Sequence, residues 1–387
     1  MNELSAILEC WRGLGKNTQE AVLASVVHVH GSAYRRPGAR MLILGDGSRI
    51  GTISGGCLES NVVRKAWWWT DGGPTVRSFD NTTEDAAWDF GLGCNGVVTV
   101  LLERLSAPNA RKLLLFLDDY QAKREAVVIA TIVGSETSTN RIGDRILYNA
   151  HGIVEENVFF PADLLSDAVS TTFSERKSRL VHLGEMDVFV EWVGPPQRLF
   201  IFGAGHDTMP LATIARMMGW RVIIADHRPS YLQPRRFPSA ERIFPIPFSG
   251  DISNLDINSD DVVVLMTHNY PQDLLLLPQV LSANPRYLGI LGPRSRTERL
   301  FAEIGANPYL ENIYGPTGLD IGGAYPEAIA LSIASEIQSV LSGRTGGLLR
   351  QRMTAIHNPA LEFALRMPDS TWSAEHGIQS TCTIDYA

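Results

Sequence analysis

Cysteine is scarce: the 387 residues contain four, at Cys10, Cys57, Cys94 and Cys382. So few, so scattered, exclude a disulfide framework, and packing must hold the chain together. No segment approaches the roughly 20 apolar residues that span a bilayer. The opening MNELSAILEC has neither the basic start nor the apolar run of a secretory signal. These absences predict a cytoplasmic protein without a membrane partner. Positive charge is also in deficit, with 34 Lys and Arg against 42 Asp and Glu and a net charge of −8. That balance predicts no nucleic-acid partner, because phosphate contacts need clustered cations. Short basic pairs at Arg35–Arg36 and Arg235–Arg236 suit one small anionic ligand instead. A hydrophobic content of 44% with 20% charged residues is that of a folded chain, and the length predicts two or three domains.

What is present divides at Gly194-Pro195-Pro196, the clearest linker in the chain. Before it, the chain is strand-rich α/β. A short helix fits residues 2–15, and AVLASVVHV from Ala21 reads as a buried strand. RMLIL and RIGTI form a hairpin around Gly45-Asp46-Gly47. A helix from Glu59 to Trp69 and strands near Val76 and in VVTVLLE follow. The segment also echoes itself. Gly38-x-Arg40-Met41-Leu42 parallels Gly143-x-Arg145-Ile146-Leu147, Glu20-Ala21-Val22 parallels Glu125-Ala126-Val127, and VVTVLLE resembles DVFVEWV near 190. A duplicated unit over 18–104 and 123–193 would account for this, chance likeness between hairpins being the other reading. The second copy lacks the double arginine and the loop cysteines, so its fold does not demand them.

After the linker, strands and helices alternate, the signature of a Rossmann-type doubly wound parallel sheet. The expected organisation is therefore a region at 1–193, a Rossmann-type domain at 194–345 and a tail at 346–387. Within that domain, Gly203-Ala204-Gly205 lies between an apolar strand and a helix, where backbone can approach a pyrophosphate. Asp226 ends the next strand, where an acid accepts from a ribose. Thr208 replaces the third glycine and is expected to hold the helix off the strand. Asp207 would repel a phosphate 4 Å away by about 4 kcal/mol at an effective dielectric near 20. Arg228 or Arg235 would compensate in part. NAD(P) therefore ranks as a doubtful ligand, and an NAD(P)-dependent oxidoreductase as the alternative function. His268 is its one candidate acid or base, against the plainer reading of a cap on a strand end at a domain interface.

Two further clusters carry chemistry. In HGSAYRRPGARM, followed by GTISGGCLE, the forks of Arg35 and Arg36 suit phosphate or the carbonyl and amide edge of a pterin. Ser54-Gly55-Gly56 is expected to offer backbone N–H groups to an anion and to present Cys57 at a helix start, where the dipole favours thiolate. In GLGCNG, Cys94 stands between glycines. Two soft thiols near loop arginines suit molybdenum or sulfur better than a hard cation. Cys10 and Cys382 have no such surroundings.

GSAYRRPGARM, GTISGGCLE, GLGCNGVVTVLLE, FIFGAGH, ADHRPSYL, MTHNYPQDLLLL, YLGILGPRSR and GPTGLDIGGAYPEAIALSIASEI together resemble the XdhC/CoxI family, maturation factors of xanthine and carbon monoxide dehydrogenases. The resemblance implies a chaperone that binds molybdenum cofactor, as molybdopterin or its dinucleotide form. It implies protection of the cofactor during sulfuration and insertion into a target molybdoenzyme. Implied partners are that enzyme, a cysteine desulfurase and a second copy of the chain. Carried over by position, Cys57 and Cys94 are the motif cysteines and possible molybdenum or sulfur contacts. Arg35, Arg36 and Arg40 form the basic loop, and Gly203 and Gly205, with His206, form the nucleotide turn. No catalytic residue is implied, and a non-catalytic factor is the leading expectation.

Overall fold

A computed structural model describes residues 3–14, 21–31, 33–80, 96–135, 142–156, 162–353 and 356. Three sheets organise it, two antiparallel and one parallel. The first unit comprises α1 (Glu3–Gly13), β1 (Ala21–Gly31), β2 (Arg40–Leu44), β3 (Arg49–Gly51), α2 (Cys57–Trp69), β4 (Thr75–Asp80) and β5 (Gly96–Arg104). The second comprises α3 (Pro108–Lys123), β6 (Val127–Ser135), β7 (Arg145–Asn149), β8 (Gly152–Glu156), α4 (Ser166–Glu175), β9 (Arg179–Leu183) and β10 (Met186–Val193).

The two units have one topology. Their strand orders are β3-β2-β1-β5-β4 and β8-β7-β6-β10-β9, strand for strand the same arrangement. Pairing registers agree: Ser25 faces Arg40 as Thr131 faces Arg145, and Leu23 faces Glu103 as Ile129 faces Glu191. These registers align the two units differently from the sequence echo. Ungapped comparison sets Ala21 against Ala126 and Glu103 against Val193, whereas the registers set Ala21 against Val127 and Glu103 against Glu191.

Each sheet buries one face under its own helix. Val22, Ala24 and Met41 pack with Leu58 and Val62 of α2, and Val128, Ala130 and Ile146 with Val169 of α4. The alternate residues of β1, β2, β6 and β7 meet in a common core with α1 and α3, including Leu23, Leu42, Leu114, Ile129 and Leu147. The sequence reading leaves α3 and α4 unassigned. The signal for α3 is Pro108 at its first turn and apolar residues at 110, 113, 114 and 117, a 3.6-residue period.

The parallel sheet begins five residues beyond Val193, at Arg198. It comprises β11 (Arg198–Phe202), β12 (Arg221–Asp226), β13 (Arg242–Pro245), β14 (Val262–Leu265), β15 (Tyr287–Ile290) and β16 (Ile313–Tyr314). Helices α5 (Thr208–Met217), α6 (Tyr270–Ala283), α7 (Arg294–Ile304) and α8 (Pro326–Leu341) accompany it. The order β13-β12-β11-β14-β15-β16, with parallel pairings throughout, is doubly wound and reverses between β11 and β14. Both faces are buried, one by α5 and α8 and the other by α6 and α7.

Candidate functional site

The arginine loop connects β1 to β2. Gly38 N–H donates to Val26 O, and Val26 N–H to Ala39 O, so the loop's exit is pinned to β1. Arg40 follows, its side chain 6% exposed and bidentate on Glu191 of the second unit at 2.8 and 2.5 Å. Gly38 is held at φ +93 with Glu191 against it, and a Cβ there would lie 2.9 Å from Glu191 Oε1. Arg35 pairs with Glu3 of α1, which also accepts from Thr52 N–H. Burial pulls the Arg35 guanidinium below its ordinary pKa, and the charge of Glu59 offsets this in part. Tyr34, Arg35, Arg36 and Arg40 line a cavity of about 430 Å³. The Nε atoms of Arg35 and Arg40 are buried and have no hydrogen-bond partner among the described residues.

Beside this loop lies the turn before α2; a Cβ on Gly55 would sit 3.8 Å from Tyr34 Cγ. The expected nest of free N–H groups is largely filled from within. Glu59, 1% exposed, accepts from Ile53 N–H at 3.1 Å, Ser54 N–H at 2.7 Å and the Ser54 hydroxyl at 2.5 Å. Ser54 Oγ in turn accepts from Gly56 and Leu58 N–H, both at 3.3 Å. The turn is thus a rigid mount for the start of α2, which begins at Cys57 itself. Burial pushes the Glu59 carboxyl up, and the donors of Ser54 and Ile53 outweigh it, leaving the pKa lowered. Cys94 and Cys382 lie outside the described residues, and Cys10 is half-buried beside the core of α1.

The nucleotide-type turn sits at the carboxyl end of β11. Gly203 has φ +116, and a Cβ on it would come 2.2 Å from Met266 O, so glycine is required where β14 passes. Thr208 does not wedge the helix away. It is fully buried, its hydroxyl donates to Gly203 O at 2.9 Å, and Leu211, Ala212 and Ala215 pack in one cluster with Leu199 and Ile201. Asp207 is turned aside rather than bared to a phosphate, with its Oδ2 2.7 Å from His268 Nε2. His268 lies just past β14 at φ +54, a left-handed conformation uncommon for histidine, and its side chain is exposed.

Asp226 stands against the glycine turn, but its carboxylate is engaged. Oδ2 accepts from Ala204 N–H and Arg228 Nη2, both at 2.7 Å, and Oδ1 from Arg228 N–H at 2.8 Å and Nε at 3.0 Å. At 3% exposure it has no open edge for a ribose. Arg228 lies 4.1 Å over the Tyr231 ring. Arg236 donates to Ala204 O and Tyr231 O at 2.9 Å each, fastening the turn from outside. The sequence reading noted Arg236 only as half of a basic pair.

The glycine turn and the contacts with the second unit lie at opposite ends of the parallel sheet. Arg124 and Arg176 of the second unit pair with Asp261 and Asp260, and Gln197 donates to Asp260 O. All of these sit at the amino end of β14, opposite the glycine turn. These contacts therefore join the second unit to the parallel sheet away from the glycine turn. His268 is a strand-end residue facing the turn.

Sequence comparison decides the relationship. Residues 15–80 match the XdhC and CoxI family model, and residues 199–337 match the XdhC Rossmann domain. A Bacillus subtilis protein named as a probable xanthine dehydrogenase subunit is 34% identical over 343 residues, 86% of this chain and 95% of its own. The chain belongs to the XdhC and CoxI family. Escherichia coli PaoD, named a molybdenum cofactor insertion chaperone, is 25% identical over 83% of both chains. A crystal structure from Bacillus halodurans, described as a xanthine dehydrogenase, superposes with a TM-score of 0.75 at 30% identity, covering 89% of this chain and 97% of that one. In this family member, the first match contains the arginine loop and the Ser54–Cys57 turn; the second contains the glycine turn.

Proposed function

We propose that this chain is a molybdenum-cofactor chaperone for a xanthine or carbon monoxide dehydrogenase-type enzyme. The observation that carries the reading is the arginine loop: Arg35, Arg36 and Arg40 line a cavity of about 430 Å³, large enough for a small ligand. Those donors fit a phosphate and the acceptor edge of a pterin. Arg35, Arg36 and Arg40 would hold the cofactor, beside the Ser54–Cys57 turn. The cofactor supplies the metal and terminal sulfur that the target enzyme requires. On this reading Cys57 and Cys94 contact the cofactor or its sulfur, a cysteine desulfurase is the sulfur donor, and the chain works as a homodimer. Names carried by relatives support the assignment.

The alternative, an NAD(P)-dependent oxidoreductase, meets a specific obstacle. Asp226, the expected ribose acceptor, is already saturated by Ala204 and Arg228. The deciding experiment is anaerobic purification from a molybdenum-replete host, with metal and pterin analysis of parent, Cys57→Ala and Arg36→Ala. Near-stoichiometric molybdenum and pterin in the parent, and severalfold less in the variants, is expected. A parent free of both, or turnover of a small alcohol or aldehyde with NAD(P), would overturn the reading.

A further inference from the structure

Helix α2 closes on three consecutive tryptophans, Trp67, Trp68 and Trp69, a run for which neither the arginine loop nor the glycine turn has a use. Trp67 and Trp69 pack against the core beneath the helix. Trp69 meets Phe79 of β4 with ring centres 6.0 Å apart, and carries Lys65 at 5.8 Å and the Arg77 guanidinium at 5.6 Å. Trp67 carries the Arg104 guanidinium at 5.7 Å, which also donates to Thr70 Oγ1 at 3.0 Å. Trp68 points the other way and is 74% exposed. Left in water, it forgoes the burial that an indole offers.

The charge around Trp68 is one-sided. Arg104 is answered by Asp71 at 3.2 Å. Arg64, Lys65 and Arg77 have no acid partner among the described residues, and Arg77 Nε is buried there without a hydrogen bond. Arg64 lies one helical turn before Trp68, on the same face of α2. Three unanswered cations thus surround an exposed indole in a chain whose net charge is −8. The second unit, of the same topology, shows how such a helix end is used. Its equivalent helix, α4, stops at Glu175, and the next residue, Arg176, pairs with Asp260 of the parallel-sheet domain at 3.0 Å. There the helix end is a junction in which an arginine meets an acid. At the end of α2 the three cations meet none among the described residues.

We infer that the end of α2 is a docking surface for an acidic segment of a partner protein. Trp68 is its apolar anchor, and Arg64, Lys65 and Arg77 meet the partner's carboxylates. Tryptophan and arginine are the residues that carry most energy at protein interfaces, and opposite charge sets the approach. A lipid surface or a nucleic acid draws on larger clusters of cations than three. The surface stands at the other end of α2 from the Cys57 turn, about 18 Å away along a 13-residue helix. Its occupant therefore need not touch the arginine loop.

The test uses the full chain and a fluorescein-labelled copolymer of glutamate and tyrosine, followed by fluorescence anisotropy. Labelled poly-L-glutamate, a labelled single-stranded oligonucleotide and phosphatidylglycerol vesicles, the last followed by sedimentation, serve as comparisons. Micromolar binding of the copolymer is expected, with poly-L-glutamate severalfold weaker because it offers Trp68 no apolar group. Trp68→Ala should remove that difference. Lys65→Gln and Arg77→Gln should each weaken both polymers at least fivefold with unaltered circular dichroism. Arg49→Gln, which removes an exposed cation at the opposite edge of the same sheet, should leave binding unchanged. No binding by the parent, or equal losses from Arg49→Gln and Arg77→Gln, overturns the surface. A copolymer affinity unaltered in Trp68→Ala overturns the anchor. Tighter binding of the oligonucleotide or the vesicles, lost in Trp68→Ala, overturns the choice of a protein partner.

Discussion

Two buried carboxylates hold the two glycine turns from inside, Glu59 by accepting from Ile53 and Ser54 and Asp226 by accepting from Ala204 and Arg228. In both, burial pushes the pKa up and hydrogen bonds more than reverse it, so the folded value lies below the ordinary one. Each therefore contributes stability that is complete above the ordinary carboxylate range and disappears as pH falls through the folded value. Glu59→Gln and Asp226→Asn should each destabilise by about 1–3 kcal/mol at pH 7, and the gap to the parent should close as pH drops below about 4. Urea melts at several pH values read this directly; a gap that stays constant into acid would sink the assignment. The position of Asp226 was legible in the sequence, since an acid ending the second strand of such a domain has one place to be. Its use was not, because only the folded chain brings the Arg228 fork back onto it.

At the scale of elements, the β11–α5 turn shows how a departure from a fingerprint is absorbed. Thr208 stands where a third glycine would, and its hydroxyl ties the first helical turn to Gly203 O. Helix spacing along the sequence could not reveal this, since a wedge and a hydrogen-bonded fixture have the same residue at the same position. Helices α3 and α7 do carry end signals in the sequence: Pro108 opens one and Gly305 closes the other in a left-handed cap. Thr208→Gly, which restores the glycine, should destabilise by about 1–2 kcal/mol through the lost hydrogen bond and the helix penalty. It should not tighten NAD⁺, because Asp226 remains bound to Arg228. Thermal melts with calorimetry check both halves of the statement; a tenfold gain in NAD⁺ affinity would show that Thr208, and not Asp226, sets the limit.

At the scale of the molecule, two antiparallel units of one topology adjoin a parallel sheet. The likeness of the two antiparallel units was faintly legible in three short echoes, yet its registers needed structure, because a one- or two-residue offset is invisible to ungapped comparison of β-strands. The cavity at the arginine loop was not legible at all: Gln121 and Ser178, which line its far side, carry no motif. The junction to the parallel sheet has one buried centre. Asp261, fully buried, accepts from Arg198 Nε at 2.7 Å, Arg124 Nη2 at 3.3 Å and Asn258 N–H at 2.8 Å. Most of these bonds lie within the parallel-sheet domain; only Arg124 crosses from the second unit. Asp261→Ala strands two largely buried guanidiniums, a change of about 3–5 kcal/mol by comparison with other broken buried pairs. The loss should fall on residues 198–341 and leave 21–193 near the parent's midpoint, because the antiparallel units keep their shared core. Hydrogen exchange followed by mass spectrometry across a urea series reads each region by its own peptides. An equal fall in both regions would mean that the junction welds them into one cooperative unit, and no fall in either would remove Asp261 as its centre.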